Sequence, residues 1–266
     1  MRPPLLSAEN SRMKTSITRA EKTIFTAAGV LLLLAIWQIA SAIVSNSLLL
    51  PSPAQTAARL VQLLSDGKTY ICILNTLWRI TAGIAVGTSA ALVLSLPSGI
   101  SDRADRVLSP AEHVIRATPV SSFIILALVW IKSDRISILI SALIVFPVVY
   151  RGTVSALRGA DRHLTEMAET DGAGKATVFW VVAVPHAFPY FLSALATSIG
   201  LGWKAGIAAE VLCTPKNTVG RMLYDSKIYL ETESLFAWTA IVIILSVITE
   251  ACLAVLKKAA EKRMPL

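Results

Sequence analysis

The sequence predicts an all-α polytopic membrane protein of about six transmembrane helices, one N-terminal helix followed by a five-helix core. Of its 266 residues, 55% are hydrophobic and only 16% charged, at a mean hydropathy of +0.65, which is too apolar and charge-poor for an ordinary soluble domain. The apolar residues gather in runs approaching the roughly 20 residues a helix needs to cross a hydrocarbon core about 30 Å thick. The connectors between these runs leave no room for a separate catalytic domain.

Taken in order, residues 1–23 carry Arg2, Arg12, Lys14, Arg19 and Lys22 and form a polar tail. A charge-free apolar run from Ile24 to Val44 follows and reads as the first span. Ala40-Ser41-Ala42 mimics a signal-peptidase site, but the stretch before it exceeds the usual roughly 7–15 residues and apolar residues continue beyond it. After Leu50-Pro51-Ser52-Pro53, Ala57, Leu60, Val61 and Leu64 fall at helical spacing, predicting an amphipathic helix to about Tyr70 at the outer surface. Residues 24–70 thus form an N-terminal unit, 71–256 a membrane core and 257–266 a C-terminal tail. Within the core, spans are expected at 80–97, 119–131, 136–150, 188–213 and 235–255. Those at 119 and 136 reach crossing length only by extending through 114–117 and 152–157.

Six crossings from an inside N-terminus put sixteen Lys and Arg on the side of both tails and seven on the other, with Arg79 and Lys204 at or inside spans. Cytoplasmic flanks carry such an excess, so both tails and the long loop 159–187 are expected in the cytoplasm.

The net charge of +8 punctuates the apolar runs rather than clustering with aromatics, so no nucleic-acid partner is expected. Cys72, Cys213 and Cys252 show no metal or disulfide spacing and are expected as buried free thiols. His113, His163 and His186 are too scattered for a ligand set. Around Gly172-Ala173-Gly174-Lys175, a phosphate loop would need Gly at 169 and Ser or Thr at 176, where Glu169 and Ala176 stand.

Loop 159–187 holds the most informative pattern, Glu166-Met167-Ala168-Glu169-Thr170-Asp171-Gly172 followed after nine residues by Val182-Ala183-Val184-Pro185. Small residues Ala168, Gly172, Ala173, Gly174 and Ala176 let a partner approach the backbone, and Gly172 permits a bend between two short helices. Pro185 suits the first turn of the helix that follows. The pattern resembles the cytoplasmic EAA loop of ABC importer permeases: Glu-Ala-Ala, three residues, Gly, nine residues, Ile-x-Leu-Pro. Met167, Val182 and Val184 depart from it, all with apolar side chains.

The resemblance extends over roughly residues 70–260. Thr76-Leu77-Trp78-Arg79-Ile80-Thr81-Ala82-Gly83 and Trp203-Lys204-Ala205-Gly206-Ile207-Ala208-Ala209-Glu210 look like the branch that imports nitrate, sulfonates, taurine and vitamin precursors. It implies a non-catalytic permease in a bacterial plasma membrane, homodimeric, with the pathway at the subunit interface. Two ATP-binding cassette subunits would dock at Glu166, Ala168, Glu169, Gly172, Ala173 and Pro185. They, and not this chain, would bind ATP, so no cofactor is expected here. An extracytoplasmic binding protein would deliver a small anionic or zwitterionic solute.

Inside the spans, Gly83 and Gly87 form a G-x-x-x-G pair suited to close helix packing, within one subunit or across a dimer. Lys204 and Glu210 are ionisable groups in the fifth span, where charge usually faces a bundle interior or water, and with Trp203 they are candidates for the path. Six residues apart, they point about 120° from each other and cannot pair as i, i+4 neighbours. Lys204 could instead snorkel to the surface. A self-contained ion-coupled secondary transporter or channel is the rival reading, and it would want paired halves that the sequence does not display.

Overall fold

The computed structural model describes residues 19–160 and 162–263, so residues 1–18 of the N-terminal tail and the last three residues of the C-terminal tail lie outside it. Among the described residues every regular element is helical: α1 (Arg19–Val44), α2 (Pro53–Ser65), α3 (Gly67–Ile100), α4 (Asp102–Ala117), α5 (Val120–Ala127), α6 (Ser133–Arg158), α7 (Arg162–Thr170), α8 (Lys175–Val178), a π-helical turn (Phe179–Ala183), α9 (Val184–Cys213), α10 (Val219–Ile228) and α11 (Thr232–Arg263).

Local chemistry sets the ends of these helices. Ser52 and Gln55 form a capping box, Ser52 Oγ accepting from Gln55 N and Gln55 Oε1 from Ser52 N, with Pro53 at the first turn. Asp66 then closes α2 and caps α3 by accepting from Lys68 N at 3.0 Å, so the amphipathic helix stops at Ser65 rather than Tyr70. The span expected at 80–97 accordingly begins much earlier, at Gly67. At the other end of the chain, α11 continues to Arg263, so the expected tail starts as helix.

Among the described residues, five helices are long and apolar enough to cross a membrane: Ile24–Val44, Gly67–Ile100, Ser133–Arg158, Ala176–Cys213 and Thr232–Cys252. The segment at 119–131 is built differently. It does not extend continuously through 114–117, because Pro119 holds Thr118 in an extended conformation (φ −83°, ψ 129°) that separates polar α4 from the eight-residue α5. Asp105 of α4 meets Arg151 and Arg158 in the last turns of α6, whereas Ile124 and Ala127 of α5 pack with Ile136 and Ile140 at its start. The broken pair therefore travels the length of α6 and supplies the sixth traverse.

Helix α6 is the centre, gripped by α3 on one side and α9 on the other. A Cβ on Gly83 would stand 2.4 Å from the Ile138 carbonyl oxygen, and one on Gly87 would stand 2.5 Å from that of Ala142. The G-x-x-x-G pair is thus committed to packing within the chain. Across the other interface, Gly202 and Gly206 admit Val145, Ser141 and Ile80, and Ser141 Oγ donates to the Gly202 carbonyl at 3.1 Å. Between them lies a core of Ile80, Val145, Val149, Tyr150, Ile199 and Trp203.

The outer elements attach more lightly. Helix α1 is tied at its end, where Trp37 stacks on Phe236 and donates to the Pro51 carbonyl and Ser41 donates to the Leu50 carbonyl. Leu31, Leu32, Leu33 and Ile36 face outward, as suits contact with lipid. All three cysteines are free, but Cys252 is exposed on α11, correcting the expectation that all would be buried.

Gly87→Val should force α3 away from the α6 backbone at a cost of about 1–3 kcal/mol, the range for overpacking a tight interior. Thermal unfolding of the purified chain in detergent checks this, and Gly67→Ala, where nothing lies within 4 Å of the new Cβ, is the matched control.

Candidate functional site

Loop 159–187 leaves the core as two short helices, with α7 packing chiefly against α8. Helix α7 ends in a Schellman-type turn: Gly172 adopts φ +84°, and the Ala173 amide reaches back to the Ala168 carbonyl at 3.0 Å. The glycine is therefore required by backbone conformation, while a Cβ there would meet nothing within 4 Å. The turn holds its own shape and leaves open space around it.

Of the residues expected to couple to a partner, Glu166 and Gly172 are exposed and Ala168, Ala173 and Pro185 partly so. Glu169 lies in α7, but its side chain falls outside the described residues. Two residues the sequence reading did not assign join this surface, since Leu164 and Met167 project apolar side chains one turn apart, Met167 with 64% of its surface exposed. The signal was there in Met167, an apolar side chain in a polar loop at the position where the pattern has Ala.

Beyond Gly172 the chain is helical from Lys175 to Cys213, interrupted by the π turn. Pro185 thus follows an existing helix rather than starting one. The wide turn carries the Val184 amide to the Phe179 carbonyl, and such a register skip accommodates the ring and the missing N–H immediately after it.

The three candidates in α9 do not converge. Trp203 is buried in the core, so it faces no path within this chain. Glu210, 0% exposed, accepts from Thr76 Oγ1 at 2.8 Å and from the Gly220 amide at 3.3 Å, while Thr76 Oγ1 accepts from the Val219 amide at 3.0 Å. The carboxylate sits at the N-terminus of α10, where exposed amides and the helix dipole favour negative charge. It anchors α10 to α3 and α9. Linear spacing gave no hint of this, because Thr76 is 134 residues away. Lys204 alone is exposed, in a stripe with Leu201, Ala208 and Leu212. As the angle between them required, Lys204 and Glu210 face different surroundings.

Glu210 Oε1, Arg79 Nη1 and Trp203 Nε1 are buried without a hydrogen-bond partner among the described residues, and Arg79 Nη2 donates to Asp134 at 3.3 Å. No group of three or more His, Cys, Asp or Glu suited to a metal occurs among the described residues.

Comparison with known proteins identifies the family and the fold. Residues 83–264 match the family described as "Binding-protein-dependent transport system inner membrane component". The chain is 24% identical over 228 residues to the "Taurine transport system permease protein TauC" of Escherichia coli, covering 84% of this chain and 82% of the relative. It is 28% identical over 190 residues to the "Formylaminopyrimidine transport permease protein ThiX" of Halalkalibacterium halodurans, covering 71% and 74% respectively. A chain in the crystal structure of an amino acid ABC transporter with histidines shares the fold at a TM-score of 0.60 and 19% identity, over 74% of this chain and 95% of that one.

Gly172→Val should strain the left-handed turn by about 1–2 kcal/mol, whereas Gly172→Asn, which tolerates that conformation, should retain it. Hydrogen exchange at Ala173, whose amide closes the turn, should accelerate about tenfold in the Val variant and little in the Asn variant. Equal exchange in both would show that the positive φ does not hold the turn.

Proposed function

This chain belongs to the family of binding-protein-dependent transport system inner membrane components, and from that premise we propose how its parts serve transport. As a permease subunit of an ATP-binding cassette importer, it forms the membrane pathway for solute and couples to ATPase subunits. The α7–α8 loop docks in a groove of the ATPase, its apolar Leu164 and Met167 entering first and Gly172 turning the chain back toward α9. The observation that carries this is the outward-facing apolar pair on a self-supporting turn, next to the small residues that allow close approach. Excess Lys and Arg on this side of the chain favours placing the loop and both termini in the cytoplasm.

A homodimer with two ATPase subunits is the assembly we infer, the pathway running between the two copies. Lys204 supports it. The residue lies nine positions before the end of α9, about 14 Å along the axis, deeper than a lysine side chain reaches by snorkelling. Its outward stripe would otherwise hold an ammonium against lipid, so a second copy or a water-filled path should cover it. An anionic or zwitterionic solute, in keeping with the relative named for taurine, suits a cation there. A binding protein delivering it would dock at the opposite end of the bundle, where α2 and α10 lie.

Met167→Asp changes a side chain that touches little in the chain and should reduce co-purification with the ATPase at least tenfold while membrane insertion persists. Wild-type recovery of the ATPase by the Asp variant would refute docking through α7.

Lys204→Met keeps much of the length and removes the charge. In proteoliposomes carrying the full complex, it should reduce uptake of an anionic solute several-fold more than uptake of a neutral one. Unchanged rates and unchanged preference would return Lys204 to a structural role.

A further inference from the structure

Where α6 enters the coupling loop, a group of charged side chains links it to two other helices. Glu112, on α4, is 0% exposed, yet it accepts from Arg151 Nη2 at 2.9 Å and from Arg116 Nη1 at 3.1 Å. Arg151 also reaches Asp105 at 3.4 Å, and the Tyr150 hydroxyl donates to Asp105 at 3.2 Å and lies 2.9 Å from Ser98 Oγ. Arg158, the last residue of α6, donates through Nε and Nη2 to the Ser98 carbonyl at 3.1 and 2.8 Å, while its Nη1 lies 3.0 Å from Asp102 and 3.6 Å from Asp105. Ser98 belongs to the last turn of α3, whose carbonyls have no partner inside the helix. A guanidinium fork therefore closes the end of α3 and grips α4 from the residue that immediately precedes the loop.

We propose that Arg158 and Arg151 are positioning residues that lock the root of the coupling loop to α3 and α4, so that displacement of the loop moves the three helices together. This rests on the coupling role of the loop proposed above. Isolated surface ion pairs hold little, but Arg151 grips the fully buried Glu112 carboxylate, and Arg158 shares Asp105 with Arg151 while its fork closes on the Ser98 carbonyl. The interactions span three helices and end one residue short of Gly159. Packing alone does not require charge here, and neither Arg151 nor Arg158 has a place in the docking surface.

The full chain in nanodiscs tests the lock, with Cys72 and Cys213 replaced by Ala and Cys252 by Ser. Spin labels at Val107→Cys on α4 and Thr170→Cys on α7, both exposed positions, report the distance between loop and bundle. Arg158→Gln should at least double the width of the distance distribution, and Arg158→Lys, which keeps charge but loses the fork, should fall between. In the assembled importer, Arg158→Gln should retain the ATPase and lower solute moved per ATP at least fivefold. Should Arg158→Gln fail to insert, Asp105→Asn is read in the same way. An unchanged width overturns the proposal, and so does a widened distribution with solute per ATP within twofold of wild type. A wild-type chain that recovers no ATPase would instead defeat the docking reading, and the width measurement stands apart from that result.

Discussion

Close approach of α3 and α9 to α6 is the constraint on which the rest of the structure depends. In lipid no hydrophobic force separates helix from solvent, so association relies on dispersion and hydrogen bonds that need backbones near one another. Gly83 and Gly87 bring α3 onto the Ile138 and Ala142 carbonyls, and Gly202 and Gly206 bring α9 onto Ser141 and Val145. Once these faces are spent on α6, the orientation of every other side chain on α9 follows. Trp203 enters the core, Glu210 meets Thr76, and Lys204 is left on the outside.

That division explains why polar groups of similar appearance in the sequence have different roles. Glu210 is held through Oε2 by a hydroxyl and by the start of α10, which makes it part of the scaffold. Glu112 is satisfied by two arginines, which makes it part of the base beneath the loop. Lys204 sits on the face not used by α6. An ionisable residue among the apolar helices of a membrane chain is a sound pointer to function, yet two of these three serve to join helices.

Much of this was legible in the sequence where the signal is local. Hydropathy located the long helices, the helical spacing of Ala57, Leu60, Val61 and Leu64 after Leu50-Pro51-Ser52-Pro53 located α2, and the spacing around Gly172 marked a turn that proved to need a positive φ. The misread boundaries were those where apolar content is a poor guide. Helix α3 starts at Gly67 because Asp66 caps it, although hydrophobicity rises only later, and 119–131 is broken from 114–117 by the restriction Pro119 places on Thr118. Long-range partners were not legible at all: nothing about Thr76 announces Glu210, nor Ser98 Arg158. The exposed Leu164 and Met167 were visible as residues, but their common face required the helix to be seen.

The loop has two covalent connections to the bundle, and they differ mechanically. Toward α6 it meets Arg158 at once, with α3 and α4 fastened to the same side chain. Toward α9 it passes through the π turn, where the hydrogen-bond register is already shifted and Pro185 removes one further bond. The stiffer connection is therefore through α6. Yet α6 and α9 cannot part easily beyond that point, because Gly152 receives Ala194 and Gly202 receives Val145. A push on the loop would consequently rotate α3, α6 and α9 as a unit, with the π turn absorbing the difference in path at the root of α9. Relative movement is left to the elements held by few contacts or by a break, namely α1, tied at its end, and α5, joined to α4 by an extended Thr118–Pro119 link.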